Sequence, residues 1–206
     1  QTLSKSIPIF PLSGALLLPL GNLPLNIFEP KNLSMVNYAL SHDKLIGMIQ
    51  PKAKGSNKLF KIGCVGKITN YNETDDNRYL ISLKGVVKFE IQNEINHSEK
   101  FKLFNVKYDK FLSEFYKFDN SLFNKNLFIK KLKDYFEKKD LVAEWPSFKE
   151  VEDKLLIIST AMICPFKPRE KQALLEAPGL ADRAELIASL LAMALTADLS
   201  VSATRH

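Results

Sequence analysis

From Ser6 to Phe28 the chain carries no charged side chain, and Pro8, Pro11, Pro19, Pro24, Gly14 and Gly21 interrupt that run. A membrane-spanning helix needs roughly 20 apolar residues in unbroken helical geometry. Four prolines, each removing a backbone donor, and two glycines exclude that geometry. A secretory signal would place a small-x-small cleavage site after a short apolar centre; here the run continues into Leu23-Pro24-Leu25-Asn26-Ile27-Phe28, and the chain opens at Gln1, so the true start is expected to lie upstream. Three short buried extended segments are the consequence: Ile7 to Leu12, Ala15 to Leu18 and Leu23 to Phe28, separated by turns at Ser13-Gly14 and Gly21-Asn22. Segments that short need a barrel or sheet around them.

The rest of the chain supplies one. Glu29-Pro30 opens a helix with proline in its first turn, and Leu33, Val36 and Leu40 share a face. Leu45 to Gln50 reads as a strand stopped by Pro51, and the polar stretch Lys52 to Lys58 as a rim loop. Two long strands follow. Phe60, Ile62, Cys64 and Ile68 share the inward face of the first with Gly66; Tyr79, Ile81, Leu83, Val87, Phe89 and Ile91 alternate with polar residues along the second. Asp75-Asp76-Asn77 turns them into a hairpin, and Gly66 and Gly85 are the places where bending or a bulge is least costly. Phe101 to Tyr108 adds a strand.

From Leu112 the spacing becomes helical. Ser121 is positioned to cap a helix whose stripe is Phe128, Ile129, Leu132, Tyr135 and Phe136. Ser147 and Glu150 form a capping box for a helix from Phe148 to Ile163 stopped by Pro165. Pro168 starts a third helix, and a fourth runs from about Leu180 to Leu199. The expected class is α+β: a strongly curved β-barrel-like subdomain with one helix over residues 1–112, then an α-helical bundle over 113–206.

A net charge of +6 on 206 residues, with 29 basic side chains of which four are arginine, reads as a solubilising lysine-rich surface, the alternative being a footprint for an anionic partner. Cys64 and Cys164 are far apart in apolar contexts and are expected as buried free thiols of a reducing, cytoplasmic compartment. Gly63-Cys64-Val65-Gly66-Lys67 lacks the four-residue glycine spacing and the Ser or Thr of a phosphate loop. His42, His97 and His206 are isolated, and neither cysteine has a second ligand at zinc spacing. No cofactor, metal or catalytic residue is expected.

In the opening stretch, Pro8 to Leu12, Leu18-Pro19, Gly21, Pro24-Leu25, Ile27 to Pro30 and Met35 resemble the N-terminal substrate-binding domain of Lon proteases and its stand-alone bacterial relatives. Leu45-Ile46-Gly47, Gly63 to Gly66, Cys164-Pro165-Phe166 and Glu170 to Glu176 extend the likeness over nearly the whole chain. Lys31 stands where the family usually has Arg, and a lysine cannot reproduce planar bidentate hydrogen bonding. The resemblance implies a PUA-like barrel and a non-catalytic, ATP-independent module, since protease and ATPase activities belong to other Lon domains.

Two surfaces can bind. Leu20, Leu23 and Phe28, followed by Glu29 and Lys31, are expected to line an apolar groove with a charged edge for unfolded or extended polypeptide; core packing is the alternative role for each. The module would then serve as an adaptor or holdase, in concert with a protease system and without a membrane. Phe101, Phe104, Tyr108, Phe111, Phe115, Tyr116 and Phe118, interleaved with Lys102, Lys107, Lys110 and Lys117, are what single-stranded nucleic acid requires, or else aromatics that cement the barrel to the helical bundle with the lysines on the outer face; RNA binding is the alternative function.

Overall fold

A computed structural model describes residues 3–113 and 123–196. The chain forms two compact units: Gln1–Ser113 with Lys167–Glu176, and Glu114–Phe166 with Ala177–His206. The fold is mixed α+β, as the patterning indicates.

The first unit is built on six strands: β1 (Ser6–Pro11), β2 (Asn22–Ile27), β3 (Leu45–Ile49), β4 (Ile62–Glu73), β5 (Tyr79–Ile95) and β6 (Lys102–Lys107), with helix α1 (Pro30–Ser41) between β2 and β3. Their order is β2-β5-β4-β3-β1-β6, and β6 pairs again with β5. Five strands therefore close on themselves, and β2 remains outside the closure, attached to β5 alone. The 17-residue β5 makes this possible, because its first half pairs with β2 and its second half with β6. β1 and β3 run parallel, so the chain between them, including β2 and α1, is a crossover.

The core gathers Ile7 and Ile9 from β1, Val65 from β4, Val87 and Phe89 from β5 and Phe104 from β6. The register of the β4–β5 pair shifts between Val65 and Gly66: Val65 faces Val87 while Gly66 faces Gly85. Val86 is the additional residue, so a bulge falls where the two glycines place it. One expectation changes here. Gly63 and Val65, which face Phe89 and Val87, point into the cluster, whereas Cys64 faces Lys88 on the other side of β4 and is buried there. Continuous alternation in the odd residues of β5 conceals the reversal, since the bulge turns Val87 and Phe89 onto the face opposite Leu83.

Ala15 to Leu18 is not a strand. Leu16, Leu17 and Leu18 are buried without joining a ladder, because Leu18-Pro19 crosses directly over Gly85 and Leu20 then takes a left-handed conformation (φ 69°). Helix α5 (Pro168–Glu176), more than a hundred residues downstream of β3, belongs to this unit. Two buried glutamines hold it there. Gln50 accepts from the Gly14 N–H (2.9 Å) and donates to the Pro168 carbonyl (2.9 Å), and Gln172 donates to the Ile62 carbonyl (3.1 Å).

The second unit contains α2 (Lys125–Lys138), α3 (Trp145–Glu150), α4 (Asp153–Ile163) and α6 (Leu180–Thr196). The stripe foreseen on α2 is its buried face. Its cap is Asn124, whose side chain accepts from the Leu127 N–H (3.0 Å); Ser121 lies outside the described residues. The single helix expected from Phe148 to Ile163 is two helices, broken where Val151 and Glu152 adopt extended angles (ψ 138° each). Ser147 sits inside α3 and caps nothing. The Lys138 ammonium donates to the carbonyls of Ala194 and Leu195 (2.9 Å each), satisfying acceptors at the end of α6.

Candidate polypeptide groove

The barrel unit carries an open groove of about 580 Å³. One wall is the end of β2 and the start of α1, from Leu25 to Asn32. The other is built by the end of β1 with Leu12 and Ser13, by the loop from Pro51 to Leu59, and by Lys100 to Lys102. Each wall has a local cause. Pro30 at the first position of α1 ends the extended run at Phe28-Glu29, and the bridge between Pro51 and Leu59 pins the base of the rim loop.

Phe28 stands at the lip. It is 62% exposed, following Asn22, Pro24 and Asn26 on the outward parity of the strand, and the Arg78 guanidinium lies 5.9 Å from its ring centroid. Leu25 is half-buried, while Ile27 is buried beneath. The Glu29 carboxylate pairs with Lys31 (3.2 Å) and accepts from the Asn32 amide (3.3 Å), so the charged edge is anchored at the helix start. Lys102 pairs with Glu94 at 3.3 Å. Apolar walls edged by lysines and exposed backbone suit an extended chain with mixed side chains. Among the described residues no group of three or more His, Cys, Asp or Glu converges to hold a metal, and no helix is long and apolar enough to cross a membrane.

Of the five residues singled out from sequence, Phe28, Glu29 and Lys31 line the groove. Leu20 and Leu23 lie elsewhere. Leu20 sits in the turn before β2, its N–H donating to the Gly85 carbonyl (2.9 Å) and its carbonyl accepting from the Lys84 ammonium (2.6 Å). Leu23 is half-buried in β2 opposite the fully buried Leu83. The rim expected at Lys52 to Lys58 does border the groove through Gly55, Ser56 and Asn57. Leu12, Leu59, Lys100 and Phe101 also line it and carry no local signal; only the parallel β1–β3 pairing and the β6 closure bring them there.

The described aromatics of this stretch belong to the barrel unit itself, Phe104, Tyr108 and Phe111 lying in its core cluster. Phe101, Phe104, Tyr108 and Phe111 are all buried, and a buried ring offers no face for a base to stack on. Phe115, Tyr116 and Phe118 lie outside the described residues. The Tyr108 hydroxyl donates to the Ser4 carbonyl (2.6 Å), and burial, with Asp43 nearby, pushes its pKa up to about 12.

The chain matches the model of a family described as the ATP-dependent protease La (LON) substrate-binding domain over residues 6–193. It is similar to Lon protease 2 of Sorangium cellulosum, 24% identical over 96 residues that cover 44% of this chain and 12% of that protein. It is also similar to the Lon protease of Elusimicrobium minutum, 24% identical over 210 residues covering 93% of this chain and 24% of that protein. The chain thus spans a minor part of these relatives. Among solved structures, the N-terminal domain of a Mycobacterium avium complex Lon protease superimposes with a TM-score of 0.70 at 13% identity, over 91% of this chain and 98% of that one. A Lon N-terminal domain protein from Xanthomonas campestris gives 0.61 at 18% identity, over 91% and 97%. At those identities the two structures speak for the fold.

Proposed function

The chain belongs to the LON substrate-binding domain family, and from that premise we propose that its barrel unit holds unfolded or extended polypeptide in the groove lipped by Phe28. The observation that carries this reading is the exposed ring of Phe28, 62% accessible, at the mouth of a groove of about 580 Å³ whose walls are mostly apolar. An aromatic ring at the mouth of an apolar groove can anchor an occupant, because aromatic side chains supply much of the energy of protein contacts. Glu29 and Lys31 then set the edge, and Leu20 and Leu23 support β2 from behind. The wider role we propose is that of an adaptor or holdase for exposed hydrophobic segments, working beside a protease system in the cytoplasm. Two buried cysteines, Cys64 and Cys164, fit a reducing compartment.

The experiment is titration of the purified protein with a permanently unfolded, reduced and alkylated protein at low and moderate salt. Apolar capture should persist as salt rises, and Phe28→Ser should weaken it about tenfold, the loss of one well-placed aromatic contact of ~1.4 kcal/mol. Binding of RNA alone, falling steeply with salt through counterion release, would overturn the reading.

A further inference from the structure

Resting on the groove assignment above, we infer that the groove takes its polypeptide as an added strand along the free edge of β2, and that it selects segments in which carboxylates accompany apolar side chains. The edge follows from the register. The Gly85 N–H donates to the Gly21 carbonyl (2.8 Å), and the ladder continues with Leu23 opposite Leu83, Leu25 opposite Ile81 and Ile27 opposite Tyr79. Hydrogen bonding alternates along an antiparallel pair, so Leu23, Leu25 and Ile27 bond to β5, and the backbones of Asn22, Pro24 and Asn26 point the other way. No strand pairs with β2 on that side among the described residues. Pro24 removes the central donor, which blunts the edge against indiscriminate pairing. Asn26, with both its N–H and its carbonyl directed outward, lines the groove. An extended segment entering the groove meets main-chain hydrogen-bonding groups there, the mode in which ladder bonds give affinity and flanking pockets read alternate side chains.

Charge identifies the segment. Lys31, Lys100 and Lys102 line the groove against one acid, Glu29. Glu29 is held by Lys31, and the partner of Lys102 is Glu94, outside the lining. Lys100 makes no ion pair among the described residues. An excess of lysine over carboxylate along the groove, with Lys31 and Lys100 exposed to solvent, favours an acidic occupant over a basic one.

The test uses one ten-residue peptide of alternating apolar and polar residues, with the polar positions made Asp, Ser or Lys, and binding followed by fluorescence anisotropy at low salt. The Asp form should bind about fivefold tighter than the Ser form and the Lys form about fivefold weaker, as exposed pairs of up to ~1 kcal/mol dictate, with the Asp preference lost in Lys100→Glu/Lys102→Glu. N-methylation of alternate peptide nitrogens in the Ser form should weaken binding at least about tenfold through lost ladder bonds. Equal binding of the three forms, or indifference to N-methylation in both registers, overturns this inference while leaving polypeptide capture standing. Failure of every form to bind overturns both.

Discussion

Gly85 lies directly beneath the backbone of Leu18: a Cβ built on the glycine would sit 1.9 Å from the Leu18 carbonyl oxygen. The contact is with backbone, so no rotamer change can relieve it. It also falls at the bulge of the β4–β5 pair, where the Gly85 N–H and carbonyl bond to the Gly21 carbonyl and the Leu20 N–H. One missing side chain thus fixes how the uncharged opening stretch lies on the sheet and where β2 begins.

Gly85→Ala should therefore destabilise the barrel unit by about 3 kcal/mol, the upper part of the range for overpacking. Gly55→Ala is the control: its left-handed φ of 74° is costly to alanine, yet nothing lies within 4 Å of the added carbon, so a loss of ~1 kcal/mol is expected. Urea denaturation followed by tryptophan-independent circular dichroism would separate them. Equal losses would show that the Leu18 crossing yields to a methyl group.

The glutamine latch makes a second prediction. Replacing Gln50 by Ala removes the partners of the half-buried Gly14 N–H and of the Pro168 carbonyl, a loss of about 1 kcal/mol for each hydrogen bond. Hydrogen exchange should show the loss in the amides of α5 before those of β4 and β5. Protection that falls uniformly across the barrel would mean that α5 is no separate element of stability.

Tyr108 predicts a response to alkali. Its folded pKa, raised by burial to about 12 from the ordinary 10.0, means that the neutral phenol is favoured in the folded state. Its contribution is complete below pH 10 and is lost as pH rises toward 12. Tyr108→Phe should be less stable than the parent at pH 8, through the lost bond to Ser4, and should show a flatter decline between pH 9 and 11. Parallel curves for the two proteins would contradict this.

Thr160 of α4 is fully buried, and its hydroxyl has no hydrogen-bond partner among the described residues. Valine matches its shape without the polar atom, so Thr160→Val should be neutral or stabilise by up to ~1 kcal/mol. A raised or unchanged thermal midpoint is expected; a fall of several degrees would reveal a partner for the hydroxyl in solution.

Local chemistry made much of this fold legible. Alternation over Tyr79 to Ile91 marks β5, Gly66 and Gly85 mark its bulge, and Pro30 marks the start of α1 because a first-turn proline sacrifices no hydrogen bond. The failures arise where burial and hydrogen bonding separate. Leu16 to Leu18 are as buried as any strand, yet their backbone crosses the sheet instead of joining it. Between Ser147 and Ile163 neither proline nor glycine announces the break at Val151-Glu152. In the groove, Phe28, Glu29 and Lys31 were visible because one turn of chain presents all three. Lys100 and Leu59 were not, since strand closure across the barrel carries them there and nothing local records it.

The decisive pair of substitutions is Phe28→Ser and Leu23→Asp. Both fall within six residues of the apolar opening stretch, and both replace a large apolar side chain by a polar one. Phe28 is mostly exposed at the groove lip, so its replacement should leave the unfolding midpoint within about 0.5 kcal/mol of the parent while weakening peptide binding. Leu23 packs opposite Leu83, which is fully buried, and a carboxylate there would be half-desolvated without a partner, at a cost of about 2–3 kcal/mol. Leu23→Asp should accordingly lose stability, and the fraction that remains folded should still bind. Stability and binding measured on both variants would cross over. A Leu23→Asp protein that is fully stable but unable to bind would instead move the contact surface from the Phe28 lip to the middle of β2.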